Sequence, residues 1–167
     1  MKKLYIKQKV FSLGGHYTVK DSREQDQYIV EGSFLSVPKT FTILDMNGQT
    51  VGTITKKVFS LLPKFFVEID GEEALVIEKE FTLFKSRYHI SAKDLEIQGD
   101  WWNKNFEILK NGSRIGSVSE KWFSWGDSFE IDIFDDELEH TIISLVIAID
   151  FVKQQESAAS SSNNTSN

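Results

Sequence analysis

The side chains best suited to acid–base chemistry are three histidines, His16, His89 and His140. They stand far apart, with no His-x-x-x-His pair to meet on one helix face. There is no cysteine, so thiol nucleophiles, thiolate metal sites and disulfides are excluded. No G-x-S-x-G turn presents a serine nucleophile. The glycines stand in turns rather than in a phosphate-cradling loop. Glu78 and Glu80, like Glu130 and Asp132, are acids two apart, which is how the solvent face of a strand reads. Asp150 stands out because it closes an otherwise apolar run. A buried charge must be paired or neutralised, so it is expected at a barrel mouth beside a cation or water. These residue types point away from enzyme chemistry.

A different chemistry is carried by lysines and aromatics. Lys2-Lys3 and Lys56-Lys57, with Lys64, are the basic clusters. The run from Val58 to Phe66 (VFSLLPKFF) and the run Trp122-Phe123-Ser124-Trp125 set large apolar side chains beside Lys57, Lys64 and Lys121. Aromatic rings next to lysines suit a membrane–water interface. Lys56, Lys57, Lys64, Lys121, Trp122 and Trp125 are therefore the residues expected to touch an anionic phospholipid surface. The competing reading makes the aromatics a packed rim and the lysines a solvated surface. The net charge is -6 and the pI about 5.1, which argues against nucleic acid as a partner. The N-terminus is basic but lacks an apolar h-region, so no signal peptide is expected and the default compartment is the cytoplasm.

The element that must position these groups is His140–Phe151, HTIISLVIAIDF, the most apolar run of the chain. Acids before it and Lys153 after it predict a helix from about Glu137 to Gln154, capped by Asp135 or Asp136. It is too short and too closely bracketed by charges to span a bilayer. A helix apolar on all sides must be covered on all sides. What precedes it can do that. About twelve short alternating segments are punctuated by the hairpin signals Asn47-Gly48, Asp70-Gly71 and Asn111-Gly112. Residues 28–61 and 95–125 also repeat one another. Gly32 matches Gly99, Phe41 and Ile43 match Phe106 and Ile108, Gly52 matches Gly116, and Lys57, Phe59 and Ser60 match Lys121, Phe123 and Ser124. Two copies predict a mainly β fold, a closed antiparallel barrel with pseudo-twofold symmetry around the C-terminal hydrophobic helix. Residues 1–155 form this single domain, and the Ser/Asn-rich stretch 156–167 is expected to be disordered.

The run KKVFSLLPKFFVEID (56–70), the Asn-Gly hairpins and the closing apolar helix resemble the LURP-one-related family of the tubby C-terminal-like superfamily, in its bacterial form. The resemblance covers residues 1 to about 155. It implies a barrel around a central helix and a binding or membrane-associated role without established enzymatic chemistry or cofactor. Phospholipid scramblases are similar over the C-terminal part. Their strand pattern is approximated by Asp127-Phe129-Ile131-Ile133, and their helix end by Ile149-Asp150-Phe151. That similarity makes Asp127 and Asp136 calcium candidates, but Trp125 stands where the pattern has an acid, so no metal is expected. The reading that follows is a non-enzymatic, cytosolic binding protein, peripheral at a phospholipid surface. The runner-up is a stress-related protein-interaction module with no lipid role.

Overall fold

The computed structural model describes residues 1–7, 16–33, 37–80, 87–92, 94–123 and 126–162, without the side chains of 7, 87, 121–123, 126–128 and 157–162. The twelve strands are β1 (Lys2–Lys7), β2 (Tyr17–Asp21), β3 (Asp26–Gly32), β4 (Thr40–Asp45), β5 (Thr50–Lys56), β6 (Lys64–Ile69), β7 (Glu72–Glu80), β8 (Arg87–Ala92), β9 (Leu95–Asp100), β10 (Asn105–Lys110), β11 (Ser113–Phe123) and β12 (Gly126–Ile133). They form one antiparallel sheet in the order β8-β7-β6-β5-β4-β3-β2-β1-β12-β11-β10-β9. The pairing of β1 with β12 curls the meander into a nearly closed barrel. Alternation decides which face is inside. Ile43, Ile54, Phe65, Val67, Ile77, Ile108 and Ile131 point inward and are buried, and their neighbours are more exposed.

The helix α1 (Glu139–Ser162) runs through this barrel. Ile142 to Val152 is buried without interruption, with Phe151 wedged against Phe41 and Phe65. Its start departs from expectation. A short 3-10 turn, Asp136–Leu138, precedes it, because the Asp135 side chain caps at Glu137 and a tighter turn leads into the helix. Its end lies well past Gln154. Glu156 is tied to the barrel, and Ala158 and Ala159 favour helix, so the backbone stays helical to Ser162. At 1.5 Å per residue this is roughly 36 Å, longer than the roughly 20 Å of a six-residue strand.

The repeat is visible in three dimensions. Gly52 on β5 pairs with Ile43, and Gly116 on β11 pairs with Ile108, each beside a β-bulge. Both glycines face the helix. A Cβ on Gly52 would run into the Ser144 hydroxyl, and one on Gly116 would lie 3.1 Å from Ile142 Cδ1. The second aromatic run differs from a loop. Trp122 and Phe123 end β11, paired with Asp127 and Gly126 of β12, whereas the equivalent residues Val58 and Phe59 lie outside the ladder, in the β5–β6 loop.

Candidate functional site

In an up-and-down sheet, every turn that follows an odd-numbered strand lies at the same end. Here that end receives the C-terminal part of α1. The β3–β4 and β5–β6 connections therefore stand side by side, held by the Lys56 amide donating to the Lys39 carbonyl at 3.0 Å. The Lys57 amide donates to the Lys64 carbonyl at 2.8 Å and closes the β5–β6 loop. Between those anchors the loop turns its apolar side chains outward. Phe59 is 92% exposed, Leu61 is fully exposed and Val58 is 45% exposed, with Val37 on the neighbouring connection at 80%. Leu62 is half-buried.

The cations around this loop divide into two kinds. Lys64 is paired with Glu78 at 3.0 Å, and its ammonium lies 5.7 Å from the centre of the Phe66 ring. Lys79 is held by Glu156 at 2.7 Å. Lys39, Lys56 and Lys57 have no carboxylate partner among the described residues. The Lys57 ammonium lies 5.9 Å from the centre of the Phe66 ring, and Lys56 donates to Gln155 Oε1 at 3.1 Å. Burial, and then the like charge of Lys39, hold Lys56 below the ordinary lysine pKa. The opposite rim is acidic. Asp21, Asp45, Asp70 and Asp94 stand at successive turns there, and Asp135, Asp136 and Glu137 lead into the helix.

The structure brings Lys56, Lys57 and Lys64 together. The strand ladder puts the backbone of Lys121 and Trp122 at the same end, where Lys121 pairs with Ser128. The side chains of Lys121 and Trp122, and the whole of Trp125, lie outside the described residues. Asp127 and Asp136, the calcium candidates, lie at opposite ends of β12, roughly 20 Å apart at 3.3 Å per residue, so they do not share an ion. The side chain of Asp127 is likewise not described. The histidines are dispersed. His16 sits 3.9 Å from Glu31, His140 sits 3.0 Å from Asp70, and His89 is exposed on β8.

Sequence reasoning did not reach Lys39 and Val37, which join the rim only because β4 pairs with β5. It expected a cation or water beside Asp150 but named neither that cation nor the other clasps that hold the helix. Lys104 and Asp150 form an ion pair with 3% and 4% exposure, and the ammonium lies 3.4 Å from the centre of the Phe129 ring. Burial lowers the Lys104 pKa and the Asp150 charge works against that. Glu139 is an acid in the first turn of α1, and its side chain is engaged with the barrel. It reaches Lys2 at 2.6 Å and the Tyr28 hydroxyl at 2.6 Å. Glu156 accepts from Lys79 and from the Tyr88 hydroxyl at 2.7 Å. Burial first, and then the carboxylate, push both phenols well above their usual range. These clasps set the depth of the helix and hence the shape of the rim around its exit.

Among the described residues, no helix is long and apolar enough to cross a membrane. A family model described as LURP-one-related matches residues 2–150. The chain is 34% identical over 152 residues to the uncharacterized protein YxjI of Bacillus subtilis (strain 168), covering 91% of this chain and 94% of that one. The X-ray structure of a protein from Arabidopsis thaliana shares the fold, with a TM-score of 0.55 at 14% identity over 90% of this chain and 91% of that one.

Proposed function

The chain belongs to the LURP-one-related family, and from that premise we propose that it is a non-enzymatic binding protein that docks its basic rim on an anionic phospholipid surface. The observation that carries this reading is the β5–β6 loop, where Val58, Phe59 and Leu61 are exposed beside Lys39, Lys56 and Lys57. Exposed apolar side chains lose free energy in water and gain it in the acyl boundary, about 1.5–3 kcal/mol for a fully buried Phe or Leu. Each lysine near an anionic surface adds about 1 kcal/mol. The acidic opposite rim is repelled by the same surface, so the charge distribution selects one orientation, with the helix C-terminus toward the membrane.

The test is co-sedimentation with vesicles of phosphatidylcholine alone and with phosphatidylserine added. Binding is expected only to the mixed vesicles and should fade between 0.05 and 0.5 M salt, because the attraction is screened. The triple variant Lys39→Glu, Lys56→Glu, Lys57→Glu should bind at least ~100-fold more weakly, at about 1 kcal/mol per cation. Phe59→Ser with Leu61→Ser should weaken binding with the salt dependence retained. Equal binding to both vesicle types, or wild-type affinity in the two variants, defeats the proposal.

A further inference from the structure

Among the described residues, one pair of consecutive strands is not joined by a ladder. β8 and β9 are consecutive, and only two residues separate Ala92 from Leu95, the length of a tight hairpin. Yet they are the two edges of the sheet, with no ladder between them. The equivalent junction in the other half, β2 to β3, is paired. At the helix C-terminal end the seam is closed by rings instead of backbone hydrogen bonds. Tyr88 stacks on Trp102 at 5.8 Å, and Trp101 packs edge-on to both.

Toward the acidic end the seam opens into a groove of about 400 Å³ lined by residues of β7 and β8 and by Leu95. Its floor is what should have been barrel interior. Ile90 and Ala92 are paired with the inward-facing Ile77 and Leu75, and Leu95 and Ile97 lie on the inward side of β9 with Ile108 opposite Ile97. All four are only partly buried, while their partners Ile77, Leu75 and Ile108 are buried. The flanks are acidic, with Glu73, Asp94 and Glu96 exposed. Two unpaired edges over an apolar floor have the chemistry of a site that takes up an added strand.

We infer that this seam is an acceptor for an extended peptide segment of a partner protein that alternates apolar and cationic residues. Its backbone completes the ladders of β8 and β9. Its apolar side chains cover Ile90, Ala92, Leu95 and Ile97, and its cations meet Glu73 and Glu96. This inference rests on observations separate from the basic rim.

The experiment titrates the full-length protein with a synthetic heptapeptide alternating lysine and valine, followed by tryptophan fluorescence and amide hydrogen exchange. Saturable binding is expected, with slowed exchange confined to residues 87–92 and 95–100. A peptide N-methylated at alternate residues should not bind, because it cannot donate to an edge, and one with glutamate in place of lysine should bind far more weakly. Glu73→Lys with Glu96→Lys, both at exposed sites, should weaken the lysine peptide about three- to tenfold, as two surface ion pairs do, without moving the melting temperature. The inference is overturned by an absence of binding, by binding indifferent to N-methylation, by protection elsewhere, or by a dimer in sedimentation that proves to pair β8 or β9 with a second copy.

Discussion

Lys104 and Asp150 show what a single buried charge demands of its surroundings. Asp150 lies within the barrel near the helix exit, where desolvation would be prohibitive without a counter-charge. Lys104 supplies it from the β9–β10 turn, where its own backbone is in the left-handed region at φ 58°. Gln154 donates to the other carboxylate oxygen at 2.5 Å. The pair should behave asymmetrically under mutation. Lys104→Met or Asp150→Leu alone strands a buried charge and should cost about 3–5 kcal/mol, whereas the double variant should recover most of that loss. Urea unfolding of the four proteins gives the cycle, and additive losses would contradict the assignment.

At the scale of elements, the helix and barrel meet most closely at Gly52. The Ser144 hydroxyl is fully buried there and has no hydrogen-bond partner among the described residues. Gly52→Ala should destabilise by about 1–3 kcal/mol through overpacking. Ser144→Ala should be neutral or stabilising by up to ~1 kcal/mol, because it removes an unsatisfied hydroxyl. Combined, the two should be less harmful than Gly52→Ala alone, since the obstructing hydroxyl is gone and what remains close is the flexible Ile43 Cδ1 at 3.0 Å and the Cβ of residue 144 at 3.3 Å. Thermal melts of the three variants check this order.

The whole molecule is a barrel whose helix is pinned at both ends by carboxylates held by lysine and tyrosine. That arrangement ties global stability to pH on the alkaline side. Tyr28 and Tyr88 keep their protons in the native state well above the pH near 10 at which an unfolded chain releases them. Tyr17 does the same through burial and the charge of Asp150. Above pH ~10 the unfolded state therefore binds fewer protons than the native state, and stability falls as pH rises. The melting temperature should drop steeply between pH 9.5 and 11. Tyr28→Phe with Tyr88→Phe should flatten that slope even while lowering the starting stability. Parallel slopes for the two proteins would show that the phenols are not the linked groups.

Much of this molecule was decided by local pattern. Alternating runs, the Asn-Gly and Asp-Gly turns and the Ile142–Ile149 stretch, apolar but for Ser144, determine strands, hairpins and a buried helix. Each depends only on backbone preference and on which side chains avoid water. The internal repeat determined the twofold plan and its matched glycines. Contacts between residues distant in sequence were decided only by the tertiary structure. Lys104 and Asp150 are 46 residues apart, and Lys2 and Glu139 are 137 apart. No periodicity encodes such pairs, because any of the surface lysines could have served. The rim is partly legible, since Lys56, Lys57 and Phe59 were visible as a cluster. Lys39 and Val37 joined it by strand pairing, and Lys64 was withdrawn from it by Glu78 across the β6–β7 ladder. The seam was hidden altogether. Its two strands read locally like any hairpin, and whether they pair depends on how twelve strands share one circumference around a helix, which is a property of the closed sheet and of no single segment.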